Sequence, residues 1–334
     1  MKSFSLSQSK SKLSTLITVS LMSSTIALMG VAHANTAQNK DAKPEHSSAK
    51  LLKQNSTEEI LKNAPADAWQ TIPQSKLVYV TLGDDKRVIF ELAEEFAPAH
   101  ADRIRLLAKQ NFWENASVYR VQDNYVAQFG WFDFANDKDG KELPDNAKDR
   151  LPVEVVRPVS EVNFVALPDI DPYADKTGFV GNFPASIKDG QAFALHCYGA
   201  IGVSRDVGAD SGTTADLYAV IGQPARHLDR QIVVVGRVLQ GIEHLSSLKR
   251  GDGVMGFYTN PSKDGTSIKH IRTGDMLPKS EQVDFTVLRS DSQAFMQLIE
   301  ERRRRTGEWF IAPLPTHIDP CYVPQQIKAT NNDK

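Results

Sequence analysis

The chain has 334 residues, of which 24% are charged, and its formal net charge is −2. This is the composition of an ordinary globular protein, and the length allows one large domain with extensions or two smaller domains. The near-neutral charge balance argues against nucleic acid as a partner, because phosphate binding needs a basic surface.

Residues 1–34 have the features of a secretory signal peptide. Three lysines within the first twelve residues precede an apolar stretch, residues 13–32, and Ala32-His33-Ala34 offers small residues for cleavage. A membrane anchor is the alternative, since a span needs about 20 apolar residues. The Ser and Thr content of the stretch favours cleavage, and no later segment is apolar enough to cross a bilayer. We therefore expect a periplasmic protein with no stable membrane span after cleavage.

Residues 35–74 are polar and rich in Lys, Ala and Ser, which predicts a linker or N-terminal extension. The compact body is predicted at residues 75–290. It opens with two β-branched runs, 77–82 and 87–92, around a Gly-Asp-Asp turn, and this pattern predicts a hairpin. Pro98 then begins a predicted helix that ends near residue 110.

The middle of the chain is less regular. Two strands are predicted at 117–121 and 125–129, and residues 133–188, rich in Asp, Pro and Lys, are interpreted as an insertion loop with a strand-like piece at 153–157. The remaining predicted elements are strands at 192–196, 200–204, 217–221, 232–238, 267–272 and 283–288, a short helix at 241–248, and a last helix from 291 to about 305 that opens the C-terminal helix and tail, 291–334. Many evenly spaced strands with few helices predict a mainly β fold, an antiparallel barrel or a sandwich.

The sequence has two cysteines, Cys197 and Cys321. Their spacing fits neither a redox motif nor a metal site. In an oxidising compartment they could pair and tie the tail to the body, whereas the alternative is two buried free thiols. His196, beside Cys197, is interpreted as a structural residue in a strand. The nucleotide, zinc and serine-hydrolase motifs are absent from the sequence, so we predict no cofactor and no metal.

Two blocks of sequence resemble the cyclophilin family. The run VYRVQDNYVAQFG at residues 118–130 resembles the signature F-H-R-V, three variable residues, then F-M-x-Q-G-G, with Arg120, Tyr125 and Gln128 in register. A second block resembles the family run F-F-I-T-L-G…L-D…V-F-G-x-V-x-x-G; it comprises LYAVIG at 217–222, Leu228-Asp229, VVGRV at 234–238 and Gly241. With GVSR at 202–205, the resemblance covers about residues 75–250.

The resemblance implies a closed eight-stranded antiparallel barrel capped by two helices, and an enzyme that rotates X-Pro peptide bonds in unfolded or partly folded polypeptides. This reaction breaks no covalent bond, and its barrier is the resonance of the peptide C–N bond, about 18–20 kcal/mol. The twisted prolyl nitrogen becomes a hydrogen-bond acceptor, so a donor that meets it only in that state lowers the barrier. Arg120 is the predicted donor, and Gln128 is predicted to bind the substrate carbonyl.

The resemblance also implies a set of substrate-binding residues. Val126 is expected to help wall a pocket for the proline ring, and the other matched positions are Tyr125 and Tyr218, where the family usually has Phe, the pocket residue Leu228, the substrate-chain residues Ser204 and Arg205, and His227, where many members carry Trp.

Several positions depart from the family pattern. Asp216 stands at a usual Gln, Ile232 at the pocket His, and Val126 at Met. The changes at Asp216 and Ile232 keep an alternative open, a catalytically weak chaperone or peptide-binding protein with the same barrel. A third possibility, a periplasmic hydrolase, lacks a nucleophile motif.

Overall fold

The computed structural model describes residues 56–131, 141–210, 212–305, 310–323 and 325–331. The predicted signal peptide lies outside these residues, as do the first part of the predicted linker and residues 133–140 of the predicted insertion. Among the helices of the described ranges, none has the length and apolar character needed to span a membrane.

The helices and strands of the described residues are each numbered in chain order. The helices are Thr57–Asn63 (α1), Pro98–Lys109 (α2), Ile242–Ser246 (α3), Pro261–Asp264 (α4) and Gln293–Arg303 (α5). The first eight strands are Trp69–Thr71 (β1), Leu77–Leu82 (β2), Arg87–Leu92 (β3), Ser117–Val121 (β4), Val126–Gly130 (β5), Arg157–Pro158 (β6), Phe164–Ala166 (β7) and Lys176–Val180 (β8). The others are Phe183–Lys188 (β9), Gln191–Ala194 (β10), Ala200–Val203 (β11), Leu217–Val220 (β12), Val234–Gln240 (β13), Thr266–Thr273 (β14), Val283–Leu288 (β15) and Ile327–Asn331 (β16).

Eight of the strands in the described chain form a closed antiparallel barrel in the order β11-β12-β5-β4-β14-β2-β3-β13, and β13 closes it by pairing with β11. This confirms the predicted barrel. Strand β2 shows how the sequence builds it, because all six of its residues are buried. Val78, Val80 and Leu82 point into the barrel core, whereas Leu77 and Tyr79 face outward against β15. The alternation of side chains along a strand explains this two-sided burial.

Helix α2 covers the barrel with its apolar face. It begins at Pro98, which fits the first helical position because no N–H is needed there. Ala101, Ile104 and Leu107 are fully buried in the barrel core. The short helix α3 adds Leu245 to the same core. Both helices occur where the sequence predicts them.

A second sheet, β6-β10-β9-β8-β7, lies mainly within the segment interpreted as an insertion loop. The structure therefore corrects that interpretation: the segment forms paired antiparallel strands. The strand-like piece predicted at 153–157 is irregular up to Arg157, and the strand predicted at 192–196 belongs to this sheet. Phe183, Ala185 and Ile187 pack in one cluster with barrel residues from β5, β12 and β13, so the sheet backs that side of the barrel.

The third sheet, β1-β15-β16, joins the two ends of the described chain. Helix α5 lies beside α1 and buries Phe295, Leu298 and Ile299 in a cluster that also contains Ile60 of α1. Residues 56–74, at the end of the predicted linker, are thus part of the packed body. Cys197 and Cys321 form a disulfide, which ties the C-terminal tail to the segment between β10 and β11. Of the two alternatives left open by the sequence, a disulfide and two free thiols, the structure shows the disulfide.

Candidate functional site

A pocket of about 630 Å³ opens beside strands β4, β5 and β12. Its lining includes Tyr119, Arg120, Tyr125, Val126, Gln128, Trp131, Ser204, Arg205, Asp216, Tyr218, Leu228, Ile232, Met255 and Phe257.

An irregularity in β4 sets the direction of two of these side chains. Val118 and Val121 both face the barrel core, although strict alternation would point residues three apart to opposite faces. The register of the β4–β5 pair shifts between Val118 and Arg120, which is the effect of a bulge. Tyr119 and Arg120 therefore both face the pocket.

The Arg120 guanidinium is held on several sides. The pairing of β4 with β5 places Arg120 opposite Gln128. Its Nε donates to the Met255 carbonyl at 2.9 Å, one terminal nitrogen donates to Gln128 Oε1 at 2.9 Å, and the other donates to Gln122. The guanidinium carbon also lies 5.1 Å from the centre of the Phe257 ring. Burial lowers the pKa of Arg120, but an arginine in a protein remains charged.

Gln128 connects Arg120 to the opposite rim of the pocket. Its Oε1 accepts from Arg120, and its Nε2 donates to Ser204 Oγ at 2.6 Å. The two bonds have opposite polarity, so they fix which way the amide faces.

The apolar part of the pocket is made by Val126, Leu228, Ile232 and two tyrosine rings. Val126 and Tyr218 are 2% and 4% exposed, and they come from paired neighbouring strands, β5 and β12. The Tyr125 ring stacks on His227, and its hydroxyl lies 3.2 Å from His227 Nε2. These side chains enclose a hollow with an apolar floor and a charged rim at Arg120.

The hydroxyl of Tyr218 is bonded inside the protein. It lies 2.9 Å from Nε2 of the fully buried His196, whose Nδ1 lies 3.0 Å from Asp229 Oδ1. Burial raises the pKa of Tyr218 well above its ordinary value, so the hydroxyl stays protonated and can donate a hydrogen bond. The tip of the ring lies against Gly202, where an added Cβ would come within 2.2 Å of it.

Asp229 belongs to a longer chain of buried charges. Its second oxygen accepts from Arg226, and Arg226 also donates to Asp171 Oδ2 at 2.7 Å. Asp171 in turn accepts from the Ser186 hydroxyl at 2.8 Å. The network runs from the pocket wall into the second sheet.

The structure brings together eight of the nine residues that the sequence singled out, since all of them except His227 line the pocket. His227 is exposed and reaches the site through its stacking on Tyr125. The side chain of Arg205 donates to the Asp206 carbonyl in its own loop and to the Gln231 carbonyl in the segment before β13, so it links these two segments.

Sequence reasoning missed Met255 and Phe257. Phe257 pairs with Arg120 in an isolated β-bridge, and its ring stacks on Tyr119 with centroids 6.2 Å apart. Neither residue falls within a block that resembles the family, and the glycines on either side of Met255 were the only local signal of a turn. His196, interpreted as structural, contacts the pocket residue Tyr218 from behind.

Nothing in the geometry resembles a metal centre: among the described residues, no group of three or more His, Cys, Asp or Glu side chains is placed to hold an ion.

Comparison with known proteins gives a consistent result. Residues 77–273 match the sequence model of the family described as "Cyclophilin type peptidyl-prolyl cis-trans isomerase/CLD". The structure is similar to the crystal structure of cyclophilin AquaCyp293 from Hirschia baltica, with a TM-score of 0.62 and 20% identity over 84% of this chain and 100% of that one. A cyclophilin-type isomerase from Cryptosporidium parvum, crystallised in the presence of the dipeptide Ala-Pro, has a TM-score of 0.37 and 12% identity over 59% of this chain and 98% of that one. No curated protein matches the sequence.

Proposed function

The chain belongs to the cyclophilin-type peptidyl-prolyl cis-trans isomerase family, and on that premise we propose that it rotates X-Pro bonds by donating a hydrogen bond from Arg120 to the twisted prolyl nitrogen. The observation that carries this proposal is the position of Arg120 at the rim of an apolar hollow, in register with Gln128.

Each part of the site has a role in this mechanism. The hollow between Val126, Tyr218 and Leu228 accepts the proline ring, and Gln128 binds the carbonyl of the substrate. Three N–H groups of Arg120 are already committed to protein oxygens. The guanidinium is therefore oriented before the substrate arrives and needs no reorganisation at the moment of rotation.

The magnitudes limit what Arg120 can do alone. A hydrogen bond to a charged donor contributes about 1.5–3 kcal/mol, far below the barrier of about 18–20 kcal/mol. Desolvation and positioning of the bound peptide must supply the rest of any large acceleration.

We also propose that the substrates are exported proteins that fold in the periplasm. The N-terminal sequence supports this proposal, and so does the Cys197–Cys321 disulfide, because disulfides persist in oxidising compartments. Uncatalysed isomerisation takes tens to hundreds of seconds, which is slow enough to limit folding.

The experiment compares the mature protein with Arg120→Ala on a short Ala-Pro peptide. We expect kcat/KM to fall about 10- to 100-fold, the equivalent of one charge-assisted hydrogen bond. Arg272→Ala is the matched control, since Arg272 is also a barrel-strand arginine but lies outside the pocket lining. Equal rates for wild type and Arg120→Ala would refute the mechanism. A wild type that suppresses aggregation without accelerating isomerisation would favour the alternative, a peptide-binding chaperone.

A further inference from the structure

We propose that His196 is a positioning residue of the proline pocket, which fixes the Tyr218 ring through its hydroxyl, and that the second sheet holds His196 in place. The proposal rests on the proposed role of the pocket in binding proline.

The first observation is where the Tyr218 hydroxyl points. The ring forms a pocket wall, but its one polar atom is bonded to the fully buried His196 at 2.9 Å. The hydroxyl therefore contributes no donor to a bound peptide. The hydroxyl instead holds the ring in position through its bond to His196. A Phe at this position would supply the same ring surface without that hydrogen bond.

The second observation is that His196 is itself fixed. Its backbone N–H and its Nδ1 both lie within 3.0 Å of the same oxygen of Asp229. In the tautomer that satisfies both side-chain contacts, Nδ1–H donates to Asp229 and Nε2 accepts from Tyr218. The two rings lie nearly parallel, with an angle of 16° between their planes. Both ring nitrogens are thus occupied, which is the arrangement of a brace and not of a proton donor to substrate.

The third observation is that the same network braces a second wall of the pocket. Arg226 and Asp229 flank the pocket residue Leu228 in the sequence, and the Arg226 side chain donates to Asp229. Arg226 is also tied to Asp171, a side chain that is 1% exposed and is bonded to Ser186 of β9. The added sheet therefore supports Leu228 and Tyr218 through one continuous set of hydrogen bonds.

A positioning role predicts a defined kinetic signature. Loss of the anchor lets the Tyr218 ring move and weakens the binding of proline, whereas Arg120 and Gln128 keep their contacts. We expect His196→Ala to raise KM for an Ala-Pro peptide about 3- to 10-fold, as expected for one lost hydrogen bond, and to leave kcat within about twofold. His196→Gln, whose amide can still bond to the hydroxyl, should recover most of the affinity.

A double-mutant cycle tests whether the effect passes through the hydroxyl. Tyr218→Phe should itself raise KM, and adding His196→Ala to it should cost much less than His196→Ala costs in the wild type. Glu91→Gln is the control for lost stability, because it weakens a buried ion pair with Arg237 that lies outside the pocket lining; its Tm should fall with KM unchanged.

The outcomes separate this proposal from the proposed function. An unchanged KM in folded His196→Ala, or equal effects of that change in both backgrounds, would overturn the positioning role while wild type remains active. Should His196→Ala fail to fold, Tyr218→Phe and His196→Gln carry the test, and an unchanged KM in Tyr218→Phe would overturn it. An inactive wild type would instead refute the proposed function.

Discussion

Gln128 is held between two partners that require opposite ends of its amide, Arg120 on the oxygen and Ser204 on the nitrogen. The bonds keep the side chain in place without a substrate. They also make the amide sensitive to an isosteric change, because a carboxylate has no N–H to donate.

We predict that Gln128→Glu lowers kcat/KM about tenfold through loss of this donor, as measured with an Ala-Pro peptide. Gln122→Glu is the matched control: Gln122 also accepts from Arg120 but lies outside the pocket lining. It adds the same charge beside Arg120 and removes no pocket donor, so its loss of activity should be smaller. Equal losses in the two variants would attribute the effect to charge and contradict the prediction.

At the level of single residues, the sequence predicted the site residues that lie within the sequence blocks resembling the family. Arg120 and Gln128 are eight residues apart across a tight hairpin, so strand pairing brings them together. Met255 and Phe257 are more than 130 residues away along the chain and reach Arg120 through a turn in which Met255 has a φ of 55°. No local periodicity indicates such a contact, because it depends on backbone pairing between β4 and the distant segment 251–258.

Strands β7, β8 and β9 of the second sheet were missed for a different physical reason. Strands β8 and β9 have the sequences KTGFV and FPASIK, and Gly or Pro inside a strand lowers its intrinsic preference for extended structure. Phe179 and Phe183 are nevertheless buried, because the sheet packs against other elements on both faces. Its stability comes from tertiary contacts, whereas the barrel strands β2 and β3 are strongly β-forming on their own.

The second sheet also makes the protein sensitive to acid. Burial alone would raise the pKa of Asp171, but Arg226, the Tyr173 N–H and Ser186 hold it below its ordinary value of 3.8. A depressed folded pKa stabilises the protein above pH 3.8, and this contribution is lost as the pH falls through the lower folded value.

We therefore predict that Asp171→Asn lowers the free energy of unfolding by about 1–3 kcal/mol at pH 7, and that its difference from wild type shrinks below about pH 4. Urea denaturation between pH 7 and pH 3 measures this. Asp175→Asn is the control, because Asp175 is exposed and bonded to Lys188. A constant difference between wild type and Asp171→Asn across this range would contradict the assignment.

On the scale of the whole molecule, the disulfide is the one covalent cross-link between the tail and the rest of the described chain. Cys197 and Cys321 are 124 residues apart, so the bond closes a long loop and removes much conformational freedom from the unfolded chain.

We predict that Cys321→Ser, or reduction of the wild type, lowers the free energy of unfolding by about 2–5 kcal/mol. Thermal melting with and without reductant measures the loss. Below the melting temperature the isomerase rate should be retained, because neither cysteine lines the pocket. Identical melting curves for oxidised and reduced protein would contradict the prediction.

The pairing of β15 with both β1 and β16 has a consequence for the order of assembly. Every barrel strand lies between residues 77 and 273, and every named pocket residue precedes 258, whereas the small sheet needs residues up to Asn331. A chain synthesised from its N-terminus can close its barrel while its last segment is still in the ribosome. The named pocket residues can thus be in place before the sheet β1-β15-β16 and the Cys197–Cys321 disulfide can form.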